Sequence, residues 1–106
     1  MRMTMAPLRL LLALVAALSA SPATAADPDH GADLAKRWCA SCHVVTADQA
    51  QASADVPAFA SIARKADFTP EKLAFFLLDP HPKMPSFPLS RLEAADLAAY
   101  IVSLKR

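Results

Sequence analysis

Cys39, Cys42 and His43 fall in the order Cys39-Ala40-Ser41-Cys42-His43. Two thiols three residues apart project from one side of a helical turn. They are placed to reach the two vinyl groups of a single porphyrin. The histidine that follows at once brings an imidazole to the iron from the same face. CxxCH is the attachment signature of c-type haem. Three other uses of these residues compete with it. A thioredoxin-type redox disulfide needs a βαβ setting, and no strand pattern surrounds the motif. Half of a zinc site needs a second Cys/His pair, and the other histidines, His30 and His81, lie far apart in sequence. A structural disulfide across so short a loop stabilises little.

A second ligand to such an iron has one thioether candidate. Met84 is the only methionine left if the first 25 residues are removed, because Met1, Met3 and Met5 go with them. It lies in a stiff segment with Pro80, Pro82, Pro85 and Pro88. A methionine sulfur suits haem iron, and a Met/His ligand pair raises the reduction potential. His81, three residues earlier in the same loop, is the internal rival. The remaining alternative for Met84 is plain packing or exposure.

The elements that must position these residues read as helices. The first is expected over Ala32–Ala40, with Gly31, Leu34, Ala35 and Trp38 on one face. A short helix is expected over Ala58–Arg64. Thr69 is a good cap, Pro70 suits the first helical position and Glu71 the positive end, so a third should run to Leu78. Its Leu73, Phe76 and Leu77, widened by Phe75 and Leu78, call for burial on more than one side. Asp79-Pro80-His81-Pro82 stops it. The last opens with Ser90-Arg91-Leu92-Glu93, a capping box, and carries Leu97, Tyr100, Ile101 and Leu104 on one face. Thr46–Ala54 reads as a loop. No run alternates as a strand, so the class is all-α.

Residues 1–25 have the three-part layout of a secretory signal peptide. Arg2 and Arg9 make a basic opening, Leu10–Leu18 an uncharged apolar run, and Ala23-Thr24-Ala25 a cleavage site. That run is shorter than the ~18–20 residues a membrane span needs, although retention as an anchor is the competing use. Cleavage after Ala25 leaves residues 26–106 as one small domain with no membrane span. The full chain has 11 Lys+Arg and 10 Asp+Glu. Without Arg2 and Arg9 the remainder carries one acid in excess. That excludes a polybasic nucleic-acid footprint and a strong overall steering field. A domain this small has little core to spare, and a covalently held haem would act as a staple.

Together these residues resemble a small bacterial class I cytochrome c. The resemblance runs from Gly31 to Leu104. It rests on Gly31 eight residues before Cys39, on CxxCH, on Lys83-Met84-Pro85 and on Asp96-Leu97-Ala98-Ala99-Tyr100-Ile101. CxxCH is highly specific; the others are weaker alone but keep the family's order. The resemblance implies a compact all-α cytochrome c fold, with the first and last helices crossing at Gly31 and Tyr100. It implies attachment of one haem c outside the cytoplasm, through Cys39 and Cys42. His43 and Met84 are then the axial ligands, and the carbonyl of Pro57 accepts a hydrogen bond from His43. The family usually has an aromatic where this chain has Ala35, and Trp38 is the nearest substitute. Phe59, Ile62, Phe68, Leu73, Phe76, Leu77 and Phe87 are candidate pocket walls.

The expected function is periplasmic carriage of single electrons between redox proteins, without an enzyme activity. Two alternatives stand beside it. One is a haem enzyme or small-ligand sensor with an open iron position. The other is a dedicated cytochrome subunit of an oxidoreductase complex.

Overall fold

The structure is a computed structural model, described over residues 6–18, 25–52, 55–79 and 83–105. Its regular structure there is entirely helical, with no strand among the described residues. The helices are α1 (Ala6–Leu18), α2 (Pro28–Trp38), α3 (Phe59–Ala63), α4 (Pro70–Leu78) and α5 (Arg91–Ser103). The all-α expectation holds.

The starts of α2, α4 and α5 are fixed by side-chain caps. Thr69 accepts the N–H of Lys72 at 3.1 Å and Pro70 opens α4. Ser90 accepts the N–H of Glu93 at 3.1 Å and opens α5. Each cap satisfies a donor that the first helical turn leaves without a partner. The start of α2 differs from the sequence expectation of Ala32. Asp27 accepts the N–H groups of Asp29 and His30 at 2.9 and 3.2 Å, and Pro28 takes the first helical position. The helix therefore begins four residues earlier. It ends at Trp38, so Cys39 and Ala40 lie in the turn beyond it.

The core forms where α2 and α4 pack on α5, with α3 alongside. Leu34, Ala35, Cys39, Val45, Phe59, Ala63, Leu77, Ala94, Leu97 and Ile101 are buried in one cluster. No polar or charged residue is buried among the described residues. Gly31 makes the α2–α5 crossing possible. A Cβ there would fall 2.0 Å from the Asp96 carbonyl oxygen and 2.9 Å from the Tyr100 Cβ. The expected juxtaposition of Gly31 and Tyr100 is present.

α4 departs from its expected burial. Only Leu77 is buried, while Phe75 is 72% exposed and Phe76 and Leu78 are each 40% exposed. The physical reason is that α4 meets its neighbours along one stripe, on α5, and nothing among the described residues covers its outer side. Among the described residues α1 packs against none of the other four helices, and its Leu10, Leu11, Leu12, Leu14 and Val15 are exposed. No helix among the described residues is long and apolar enough to cross a membrane.

Candidate functional site

α2 delivers the chain to the Cys39–His43 segment, which continues as tight turns of helical pitch. The Cys39 N–H bonds the Ala35 carbonyl at 2.9 Å, and the His43 N–H bonds the Cys39 carbonyl at 2.9 Å. Both cysteines are free thiols, but their settings differ: Cys39 is 5% exposed in the core and Cys42 is exposed. Burial, with a smaller contribution from Cys42, pushes the Cys39 thiol up to about 11. Among the described residues no group of three or more His, Cys, Asp or Glu side chains gathers to hold a metal ion.

The His43 ring is half-buried and oriented from two sides. Its Nδ1 lies 2.6 Å from the Pro57 carbonyl oxygen. A carbonyl only accepts, so Nδ1 carries the proton, and the Nε2 lone pair is left available to a metal. The Phe59 ring stands 5.3 Å away at 49°. Phe59 is itself held by its N–H on the Val44 carbonyl at 3.0 Å. α3 thus supplies a wall, and the residues before it supply the acceptor.

Met84 is half-buried and packs against the cluster that contains Cys39, Phe59 and Leu77. Ile62, Phe68, Leu73 and Trp38 are half-buried against the same cluster. Trp38 also meets Phe87, with ring centroids 5.5 Å apart at 50°. That contact links the residue before Cys39 to the loop that carries Met84. His81 lies outside the described residues.

These residues suit a haem. Two free thiols precede an imidazole whose outer nitrogen is already committed to a carbonyl. A soft sulfur packs on the same apolar cluster, in an interior with no buried charge to oppose a large apolar face. The family described as cytochrome c oxidase, cbb3-type, subunit III matches residues 26–101. The chain belongs to that family. It is 74% identical over 94 residues to a cytochrome c-552 of Bradyrhizobium diazoefficiens, covering 89% of this chain and 90% of that one. No solved structure matches it significantly. This cytochrome is a monohaem c-type electron carrier with covalently bound haem c, and not an enzyme.

Two groups of residues in this cytochrome escaped the sequence reading. No motif marks His30 in the sequence, yet its Nδ1 lies 2.7 Å from Asp96 Oδ2. The Asp27 N–H donates to Asp96 Oδ1 at 2.7 Å, so one carboxylate ties the start of α2 to α5. The hydrogen bond to Asp96 is the chief cause of a raised His30 pKa. Burial would raise the Asp96 pKa, but the bonds from His30 and the Asp27 N–H hold it below the ordinary carboxylate value. The second is Gln49, in what read as a featureless loop. Its amide bonds four backbone groups, at Ala40, His43, Val45 and Gln51.

Proposed function

We propose that Cys39 and Cys42 hold the haem through thioether bonds, and that His43 and Met84 occupy the two axial positions of its iron. In this reading Pro57 fixes the tautomer of His43 and raises the basicity of its inner nitrogen. The observation that carries it is the 2.6 Å contact between Nδ1 of His43, the last residue of CxxCH, and the Pro57 carbonyl 14 residues later. When bound, the haem iron supplies a one-electron ferric/ferrous couple. The chain's own part is to keep both ligands in place in each oxidation state and to exclude water from the iron. Residues 1–25 act as a cleaved leader and residues 26–106 as the exported domain, working in the periplasm. Its partners are redox proteins met one at a time through small, transient interfaces.

The experiment is the reduced visible spectrum of the matured protein, with and without carbon monoxide, beside Met84→Ala. The parent is expected to show a c-type spectrum that carbon monoxide leaves unchanged. Met84→Ala is expected to bind carbon monoxide readily. A variant matching the parent in spectrum and ligand binding removes Met84 from the iron. Mass spectrometry of the exported protein should find Ala26 at the N-terminus.

The family description favours one further reading, a subunit of a terminal oxidase. Stable co-purification with one membrane complex supports that reading, and loose exchange among several partners supports the shuttle.

A further inference from the structure

Gln49 lies in a segment without regular structure, six residues past His43, and its side chain is half-buried. Its polar atoms are engaged by main chain. Nε2 donates toward the carbonyls of His43 at 2.7 Å, Ala40 at 2.9 Å and Gln51 at 3.0 Å. Oε1 accepts the N–H of Val45 at 2.9 Å. Two N–H protons serve three acceptors, so one is shared. Three of the four groups flank His43 or belong to it.

The same stretch is gripped from its other side. The Tyr100 hydroxyl donates to the Val45 carbonyl, and the Val45 side chain is 2% exposed. The Val44 carbonyl accepts from the Phe59 N–H, and the His43 ring reaches Pro57. The His43 main chain is therefore held by Gln49, while its ring is held by the residues leading into α3. If the main chain shifts, the ring shifts with it, because only two torsions separate them.

We propose that Gln49 is the positioning residue for His43. By fixing the His43 carbonyl and the Val45 N–H, it keeps Nδ1–H on the Pro57 carbonyl, and so sets the donor strength of the inner nitrogen toward iron. This rests on His43 being an axial ligand. A hydrogen bond at the outer nitrogen makes the inner one more basic. A loosened bond makes it a poorer donor, which favours the ferrous state and moves the reduction potential upward.

The test compares matured parent, Gln49→Leu and Gln49→Glu by potentiometry and by proton NMR of the reduced protein. Leucine keeps comparable bulk without polar atoms. Glutamate keeps an acceptor for Val45 but faces the Ala40 and His43 carbonyls with oxygen. Both variants are expected to keep a c-type spectrum, and Gln49→Leu, which adds no charge, to move to higher potential. The His43 Nδ1–H in both variants, and the Val45 N–H in Gln49→Leu, should exchange with solvent about tenfold faster or more, as expected for losing a hydrogen bond or two. The amide of Ala98, in the middle of α5, should exchange as in the parent. A purely structural loss would speed all three sites together and would overturn the proposal, as would an unchanged potential with unchanged exchange. If neither variant matures, the parent decides through its Gln49 side-chain amide protons. Exchange slowed about tenfold against a free glutamine supports the proposal; exchange at the free rate overturns it. Failure of the axial reading looks different, because the parent itself then lacks His43 resonances shifted by the haem.

Discussion

His30 and Asp96 form an ion pair whose strength follows pH through both partners. The His30 pKa is raised above its ordinary 6.5, so the pair contributes fully below that value. The contribution is lost as pH rises through the raised folded-state value. The Asp96 pKa is lowered from 3.8, so its contribution is present above 3.8 and lost as pH falls through the lowered folded-state value. The window of full strength thus runs from about 4 to about 6.5. Denaturant midpoints measured from pH 5 to pH 9 should fall on the alkaline side in the parent. In His30→Gln that fall should be largely absent. An identical pH profile in both proteins would show that the pair adds nothing to stability.

At the scale of elements, the crossing of α2 and α5 is the most constrained contact in the fold. The atoms that a Gly31 side chain would strike are mainly main chain, namely the Asp96 carbonyl carbon and oxygen. Neither can swing aside, so the helices must separate. Gly31→Ala is expected to lower stability by roughly 1–3 kcal/mol or more, read as a lower urea midpoint with an unchanged slope. The pieces around this crossing were legible to different degrees. Thr69-Pro70 and Ser90 announce their helices locally, because a cap acts within three residues. Asp27-Pro28 gives the same signal for α2, four residues before the expected start at Ala32. CxxCH and Pro57 were legible because motif and order carry them. Gln49 was not, because its bonds depend on how the loop folds back onto carbonyls six and nine residues earlier. His30 with Asp96 was hidden by a separation of 66 residues.

At the scale of the whole molecule, the packed core belongs to α2, α3, α4 and α5, and α1 takes no part in it. The matured domain beginning at Ala26 is therefore expected to unfold at the same temperature as a matured chain that retains residues 1–25. A thermal midpoint lowered by several degrees would assign α1 a share in the core. The balance of charge points the same way for association. With one acid in excess after residue 25, encounter with partners should vary little with ionic strength unless a local patch acts.

The meeting of α2 and α5 also imposes a sequence of events on assembly. The bond from Asp27 to Asp96 joins residues 69 positions apart. Closing so long a loop carries an entropy cost that only the docked helices offset. Docking must wait until α5, near the end of the chain, has been made. Until then Leu34, Ala35 and Cys39 lack the cover they finally have. The Cys39 thiol is thus accessible in the unclosed chain and buried once the helices dock. A thioether at Cys39 would accordingly be expected to form before α2 docks on α5.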